Sequence, residues 1–188
     1  MNRTAAVILA AGASSRLGQP KQLVALAGER LIERAVRVAT SAGCVPVVMV
    51  LGASSARILD VCSLTSARVL INEAWPEGIA SSIRLGITAI ATEVDAAILM
   101  TCDQPAVTPK HLLRLIELCA ETPVASAYAE RRGVPACFPA RHFEELLRLR
   151  GDEGARRLLE TALTVELPGG ELDIDTPDAL EAARSVYR

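Results

Sequence analysis

The stretch "VILAAGASSRLGQPKQ", residues 7–22, decides the fold class of this chain. It begins with an apolar run that ends at Ala11 and continues into small residues, followed by Arg16 and Lys21. A turn requires the small residues but gives no reason for the two cations. A strand that leads into an anion-binding loop explains both features, whereas a surface loop with solvated cations explains only the turn.

This loop differs from two well-known phosphate-binding glycine loops. A Walker A motif needs Lys directly after its second glycine, but Gln19 follows Gly18. The dinucleotide fingerprint GxGxxG also fails, because Ser14 and Leu17 occupy the positions where glycines are required. We therefore predict a longer and more open loop than either motif forms.

Four side chains of the loop are candidate anion ligands. Backbone N–H groups in such a loop can form a nest around an anion. The hydroxyls of Ser14 and Ser15 add donors, the planar fork of Arg16 matches two phosphate oxygens, and Lys21 adds a mobile point charge. The loop is therefore predicted to bind a phosphate-bearing ligand.

The composition is typical of an α/β protein. The 188 residues are 51% hydrophobic, but only five are Phe, Trp or Tyr, so Ala, Val, Leu and Ile form the core. The net charge of −2 provides no basic field for nucleic acid. Five widely spaced cysteines without a CxxC pair favour reduced thiols over a disulfide framework or zinc site. The first apolar run is too short for a membrane span and lacks a signal-peptide layout, so we expect a cytoplasmic protein with no membrane partner.

Strand and helix patterns alternate as far as residue 129. Apolar runs bounded by Gly or Pro predict strands at 5–11, 45–52, 67–72, 95–103 and 123–129. Helical periodicity predicts helices at 31–43, 81–92 and 108–122. Leu31, Ala35, Val38 and Ala42 share one face of the first of these helices, and Thr108 is expected to cap the third. The alternation predicts βαβ units and a mostly parallel sheet.

The pattern changes in the last third of the chain. A short strand is predicted at 133–138, and residues 164–174 form another strand or a loop. Helices are predicted at 140–150, 152–163 and 176–188. We interpret the strands as a modest antiparallel addition to a single domain that spans residues 1–188.

Three carboxylates are candidates for a metal site. Asp103 follows an apolar strand and is not needed as a helix cap, because Thr108 already serves the next helix. Asp173 and Asp175 flank Ile174, and in an extended segment they would point the same way. Asp103 with Asp175, joined by Asp173, would form an all-oxygen site suited to Mg²⁺.

Longer segments resemble a known family of enzymes. LAAGASSRLGQPK resembles the signature LAAGxSxRxGxxK of the MobA-like nucleotidyltransferases of molybdenum cofactor biosynthesis. Further segments resemble the cytidylyltransferase branch in the same order, namely NEAWPEGIASSIRLGI (72–87), LMTCDQPAVTPKHL (99–112), RRGVPACF (131–138), LRGDEGARRLL (149–159) and DIDTPDAL (173–180). The resemblance implies a Rossmann-like three-layer α/β/α fold, with a mostly parallel sheet and a small antiparallel addition.

The resemblance also implies a reaction and a set of site residues. The enzyme would transfer CMP from CTP to the phosphate of a molybdopterin-type cofactor, with Mg²⁺ as cofactor and release of pyrophosphate. The implied catalytic residues are Arg16, Lys21 and Asp103. The implied nucleotide-binding residues are Leu9, Ala10, Ala11, Gly12, Ser14, Ser15, Arg16, Lys21, Asn72, Ser82 and Asp103. The implied acceptor-binding residues are Gln104, Gly133, Pro135, Gly151, Asp152 and Gly154. The implied metal ligands are Asp103, Asp175 and Asp173, with Asp175 favoured over Asp173 for direct contact.

The choice of CTP depends on Ala11. In the resembling enzymes, the cytidylyl branch has Ala-Ala-Gly where guanylyl relatives have Ala-Gly-Gly. The base is expected to lie over the backbone of Leu9 to Gly12, and the Cβ of Ala11 would occupy space that a purine needs. Another NTP remains open as the donor.

Two other functions remain open. The acceptor could be a sugar or polyol phosphate. Alternatively, the chain could be an accessory protein that hands finished cofactor to a molybdoenzyme or its chaperone. A carrier would not need Arg16, Lys21, Asp103 and Asp175 together, which favours an enzyme.

Several polar residues permit two interpretations. Asn72 and Ser82 could face the nucleotide or serve a turn and a helix start. Asp152 could shape the acceptor site or cap a helix, with a favourable charge in its first turn. His111 and His142 lie in predicted helices beside Lys or Arg, and we expect both at the surface.

Overall fold

The computed structural model describes residues 3–187. Its strands are β1 (Thr4–Ala10), β2 (Ala25–Leu26), β3 (Glu29–Arg30), β4 (Val47–Leu51), β5 (Arg68–Ile71), β6 (Ala96–Thr101), β7 (Val124–Tyr128), β8 (Arg131–Pro139) and β9 (Leu163–Glu166). Its α-helices are α1 (Leu31–Ser41), α2 (Ser55–Val61), α3 (Ile79–Thr88), α4 (Pro109–Leu118), α5 (Phe143–Arg148) and α6 (Pro177–Val186). Short 3₁₀ turns occur at Lys21–Leu23, Trp75–Glu77, Ala140–His142 and Ala155–Leu159.

Within the described residues, seven strands form one sheet in the order β5-β4-β1-β6-β8-β7-β9. β1 pairs in parallel with β4 and β6, and β4 pairs in parallel with β5. β8 runs antiparallel to β6 and β7, while β2 and β3 form a small separate antiparallel sheet. The predicted α/β fold with a mostly parallel sheet and a small antiparallel addition is therefore confirmed.

The direction of the last strand differs from the prediction. β9 was expected to join the antiparallel addition, but it pairs in parallel with β7. Between these two strands the chain passes through β8, α5 and a 3₁₀ turn instead of making a hairpin. A connection of this kind returns the chain in its original direction, which makes the pairing parallel.

The sheet is covered on both faces. Ala6, Ile8 and Ala10 of β1 belong to a buried cluster with α1 and α4. The alternate residues Val7 and Leu9 belong to a second cluster with α3 and α5. Because successive residues of a strand face opposite sides, β1 is buried on both, which confirms the three layers.

Helix starts and stops follow the predicted signals in several places. The Oγ1 atoms of Thr108 and Thr176 each accept a hydrogen bond from a backbone N–H three residues on, at 3.2 Å. α1 buries Leu31, Ala35 and Val38, and Gly43 follows it with a φ of +79°.

Two local predictions are wrong, and one helix was not predicted. The helix expected at 152–163 is only a 3₁₀ turn, because Gly154 stands at its start and offers no capping side chain. α2 was not predicted, since Ile58 is its buried residue and no apolar stripe marks it. His111 is buried and not at the surface, and its Nε2 lies 2.7 Å from the Oγ of Ser126 in β7.

None of the helices in residues 3–187 has the length and apolar character needed to cross a membrane.

Candidate active site

Two adjoining cavities open where β1 and β6 end. The first has a volume of about 380 Å³ and is lined by Leu9, Ala10, Ala11, Gly12, Lys21, Trp75, Pro76, Gly78, Ile79, Ser82, Thr101, Asp103 and Asp152. The second has a volume of about 240 Å³, and its walls include Ile83, Leu99, Tyr128, Arg131, Arg132, Gly133, Gly154, Arg156 and Asp173. Leu9, Ile79 and Thr101 line both cavities, so the two spaces share a border. This is the edge at which open α/β sheets bind ligands.

Gln22 holds the loop behind β1 in place. Its buried Nε2 donates hydrogen bonds to the carbonyl oxygens of Ala10 at 2.7 Å and Gly12 at 3.2 Å. The Oγ of Ser14 accepts a hydrogen bond from the backbone N–H of Lys21 at 3.1 Å. Ser14 thus braces the loop and, like Ser15 and Arg16, does not line the first cavity. Gln22 was not predicted from the sequence, although its position directly after Lys21 was a usable signal.

Each predicted anion-binding cation contacts a predicted metal-binding carboxylate. The Nζ of Lys21 donates a hydrogen bond to Asp103 Oδ2, and these side chains are 23% and 9% exposed. The guanidinium of Arg16 lies 2.6 Å from Asp175 Oδ2, but Arg16 is 72% exposed. Burial lowers the pKa of Lys21, yet the charge and hydrogen bond of Asp103 outweigh burial and raise it overall. Lys21 is therefore a firmly charged group beside the first cavity.

A small apolar cluster explains why these residues meet. Leu17 from the loop and Ile174 from the C-terminal segment pack together with Leu180 of α6. The backbone N–H of Ile174 also donates a hydrogen bond to the Asp103 carbonyl at 3.0 Å. The loop, the end of β6 and the C-terminal segment are thereby held at one place.

The segment from Asp173 to Asp175 was expected to be extended, but a backbone hydrogen bond closes it into a tight turn. The N–H of Asp175 donates a hydrogen bond to the carbonyl of Asp173 at 3.0 Å. The two carboxylates consequently have different neighbours. Asp173 lines the second cavity, while Asp175 pairs with Arg16.

The carboxylates near Lys21 form an environment that favours a cation. Burial, followed by the charge of Asp103, raises the pKa of Asp173 to about 6. Asp103 Oδ1 is buried, and residues 3–187 supply it with no hydrogen-bond partner. Over that same part of the chain, no three His, Cys, Asp or Glu side chains form a ready-made metal centre. Mg²⁺ suits such a site, because it commonly uses one or two carboxylates and completes its shell with waters and substrate phosphates.

Asn72 organises the start of α3. Its Nδ2 donates hydrogen bonds to the Oγ of Ser81 at 2.8 Å and of Ser82 at 2.9 Å. Its Oδ1 accepts one from the N–H of Ala74 at 3.0 Å. Ser82 lines the first cavity, whereas Asn72 is buried behind it. Of the two residues, only Ser82 is in position to touch a ligand there.

A glycine contact closes one side of the first cavity. Gly78 has a φ of +108°, and a Cβ there would lie 2.5 Å from Asp152 Oδ1 and collide with the backbone of Gly151. The N–H of Ala80 donates a hydrogen bond to the Gly151 carbonyl at 3.1 Å. Asp152 therefore lies over the start of α3 and lines the first cavity. It does not cap the following turn, which begins after Gly154.

Tyr128 organises the second cavity and was not singled out from the sequence. Its hydroxyl donates a hydrogen bond to the Val134 carbonyl at 3.0 Å and accepts one from Gln104 Nε2 at 3.2 Å. A Cβ at Gly133 would lie 3.0 Å from the Cζ of Tyr128, so glycine leaves room for the ring. The guanidinium of Arg131 lies 5.4 Å from the ring centroid. Gln104 thus acts on this cavity through Tyr128.

The predicted acceptor residues are divided among several places. Gly133 and Gly154 line the second cavity, and Asp152 lines the first. Gln104 and Pro135 are buried, and the Pro135 carbonyl accepts a hydrogen bond from Ser126 Oγ at 2.7 Å.

The fold and the site together define a class of protein. A loop with backbone N–H groups and two cations faces carboxylates at the carboxyl edge of a parallel sheet, beside a second cavity. Such a site suits the transfer of a phosphate-bearing group, because this chemistry needs positioning and charge neutralisation more than a nucleophilic side chain.

Residues 6–167 match the model of the MobA-like NTP transferase domain. The chain belongs to this family, and the resemblance inferred from its motifs is confirmed. Nicotine blue oxidoreductase of Paenarthrobacter nicotinovorans is 32% identical over 163 residues, which are 81% of this chain and 79% of that protein. Purine catabolism protein PucB of Bacillus subtilis is 29% identical over 194 residues, which are 95% of this chain and 94% of that protein.

Solved structures agree with this assignment. Rv0371c of Mycobacterium tuberculosis H37Rv has a TM-score of 0.86 at 30% identity, with 98% of this chain and 99% of that chain covered. Its complex with manganese has a TM-score of 0.82 at 28% identity, covering 97% and 98%. A nucleotidyl transferase of Methanothermobacter thermautotroptrophicus has a TM-score of 0.85 at 25% identity, covering 99% and 98%. The chain is therefore a nucleotidyltransferase.

Proposed function

We propose that the chain transfers CMP from CTP to the phosphate of a molybdopterin-type cofactor and releases pyrophosphate. The observation that carries this proposal is the shared border of the two cavities. The first cavity contains Lys21 and Asp103, and the second contains Asp173. A donor nucleotide and an acceptor bound side by side would therefore meet near these charged groups.

The donor side of the proposal depends on the end of β1. Leu9, Ala10, Ala11 and Gly12 line the first cavity, and we expect the methyl group of Ala11 to face the base. That methyl group would leave room for a pyrimidine and crowd a purine. One methyl group is worth only about 1–3 kcal/mol of discrimination, so Ala11 can contribute to selectivity without accounting for all of it.

Lys21 and Arg16 would bind the triphosphate while keeping their present partners. A lysine ammonium has three N–H donors, and Asp103 takes one of those of Lys21. Two remain for phosphate oxygens. Arg16 contacts Asp175 through one terminal nitrogen, which leaves other donors of its guanidinium for pyrophosphate. Both cations would stabilise the charge that grows on the leaving group.

We assign a divalent cation, Mg²⁺ by preference, to Asp103 with Asp173 and Asp175. The unpartnered Oδ1 of Asp103 and the raised pKa of Asp173 support this assignment. When bound, such an ion would supply positive charge to the reacting phosphates. The acceptor needs no general base, because a phosphate monoester with a second pKa of about 6 is already mostly ionised at neutral pH.

Pyrophosphate release tests this proposal. The protein is incubated with CTP, GTP, ATP or UTP, with Mg²⁺ or Mn²⁺, and with a molybdopterin-type acceptor or a panel of sugar and polyol phosphates. We expect release to be fastest with CTP and the pterin. Ala11→Gly should increase the use of GTP relative to CTP. Arg57→Gln, an exposed change outside both cavities, is the matched control and should behave as the wild type.

The other outcomes identify the rival functions. Release only with a sugar or polyol phosphate would replace the pterin by that acceptor. Tight binding of finished cofactor without release from any NTP would indicate a carrier. Oxidation or reduction of nicotine blue, measured in parallel, would indicate an activity like the one named for the relative from Paenarthrobacter nicotinovorans.

A further inference from the structure

Three arginines on the wall of the second cavity have no carboxylate partner. Four arginine side chains among residues 3–187 form neither an ion pair nor a hydrogen bond with other described residues. These four are Arg57, Arg131, Arg132 and Arg156. The last three line the second cavity. They also line an adjoining outer cavity of about 350 Å³. Unpaired arginines are thus concentrated at one place.

The protein's own charges do not explain this concentration. Arg131 and Arg132 begin β8, while Arg156 belongs to the 3₁₀ turn after α5. Like charges repel, so bringing these segments together gains nothing from the three guanidinium groups. Glu130 and Glu160 line the outer cavity as well, but within the described chain neither comes within 4.0 Å of an arginine nitrogen.

Arg131 is also held in a defined position. Its guanidinium lies over the ring of Tyr128, which Gln104 and the Val134 carbonyl fix through hydrogen bonds. The second cavity therefore has a cationic wall at one side and the carboxylate of Asp173 at another. A ligand that fills it would meet both.

We infer that Arg131, Arg132 and Arg156 form an anion-binding wall, and that the acceptor carries a second anionic group besides the phosphate that reacts. The inference rests on the proposed function for its assignment of the second cavity to the acceptor. The reacting phosphate lies at the end near Asp173 and Asp103, and the second group lies against the arginines. On a metal-loaded molybdopterin-type cofactor this group is the set of oxygens on the metal, and on a sugar or polyol phosphate it is a second phosphate or a carboxylate. Planar guanidinium groups suit such oxyanions because they bind two oxygens at once.

Calorimetric titration with two sugar phosphates tests this wall. Fructose 1,6-bisphosphate and fructose 6-phosphate differ by one phosphate, and they serve as charge probes without any NTP. We expect the wild type to bind the bisphosphate about tenfold or more tightly than the monophosphate. The double variant Arg132→Gln/Arg156→Gln should lose this preference, and Arg132→Lys/Arg156→Lys should recover part of it. Arg57→Gln, which removes the remaining unpaired arginine, should retain it in full.

Two outcomes would overturn the inference. The first is a wild type that does not distinguish the two probes, and the second is a Gln double variant that retains the preference. In the second case, loss of the preference in Lys21→Met would show that the second phosphate binds the loop behind β1. Since no turnover is measured, a retained preference together with absent pyrophosphate release would contradict only the proposed function.

Discussion

Replacing Lys21 with Met should lower stability and activity together, and the ion pair with Asp103 gives the size of the first effect. Asp103 is 9% exposed at its side chain, and its second oxygen is already without a partner in the described residues. Removing one member of a buried pair costs about 3–5 kcal/mol, because the other charge remains buried. Lys21 is 23% exposed, so water reaches the gap and the lower figure of about 3 kcal/mol applies.

Urea denaturation measures this loss. With an m-value of about 2 kcal/mol/M for a chain of this size, the midpoint should fall by about 1.5 M. The double variant Lys21→Met/Asp103→Asn removes both charges and should recover most of the lost stability. Pyrophosphate release should fall about a hundredfold or more in each of these variants and should not recover in the double variant.

Arg16→Gln is the matched control, because it breaks an ion pair of the same site in an exposed setting. Arg16 is 72% exposed, and pairs of that kind contribute about 1 kcal/mol or less. Its midpoint should therefore stay within about 0.5 M of the wild type, although release slows. A wild-type midpoint for Lys21→Met would refute the buried pair. A double variant no more stable than Lys21→Met would show that lost packing, and not an unpaired charge, causes the effect.

The remaining predictions concern residues that shape or support the site. Gly78→Ala should lower the free energy of unfolding by about 3 kcal/mol, because a φ of +108° strains alanine and the new Cβ would collide with Asp152. Gly12→Ala is the control and should change this free energy by less than about 0.5 kcal/mol, because no atom lies within 4 Å of its new Cβ. Urea denaturation measures both. Burial lowers the pKa of His111 below 6.5, so the unfolded chain binds its proton more readily and the wild type should lose stability as pH falls below that value. His111→Gln should flatten this dependence in urea titrations at several pH values, and an unchanged slope would contradict it. Gln22→Glu should reduce kcat/KM about tenfold, because a carboxylate would face the two carbonyls that Gln22 now binds; an unchanged value would remove its positioning role.

Local patterns were enough to predict much of the fold. The apolar runs around Val7 and Ile98 are bounded by small or polar residues, and they became the central strands β1 and β6. Thr108 was predicted as a cap from the Thr-Pro pattern, which acts within one turn of the chain, and Thr176 begins its helix with the same pattern. These features depend on neighbours in sequence, and for that reason they can be read without a structure.

Other features depend on contacts between distant segments. The sequence neighbours of His111 are those of a surface residue, but in the structure its side chain is buried and hydrogen-bonded to Ser126 of β7. The serine hydroxyl donates to the Pro135 carbonyl, so the neutral histidine must donate through Nε2. The parallel direction of β9 likewise follows from the path of the chain across the sheet, which no local pattern specifies.

The candidate site shows the same division. The loop behind β1 and the position of Asp103 follow from strand ends, so both could be predicted. Asn72 was predicted among the residues that face the nucleotide, but its side-chain amide donates hydrogen bonds to Ser81 and Ser82 instead. The cationic wall needs β8 and a distant 3₁₀ turn to meet, and the sequence showed only part of it as two neighbouring arginines at the start of β8.

The electrostatic interactions of this site do not all favour its formation. Asp103 and Asp173 repel each other, and the unpaired arginines that line the second cavity repel one another. Burying one large aliphatic side chain contributes about 1.5–3 kcal/mol, and Ile174 is completely buried against Leu17. The apolar residue between Asp173 and Asp175 is therefore the anchor that brings both acids to the end of β6. The order Asp173, Ile174, Asp175 thus has a physical explanation. Burial of the isoleucine supplies the free energy that holds the two carboxylates where a nucleotide and a cation would bind.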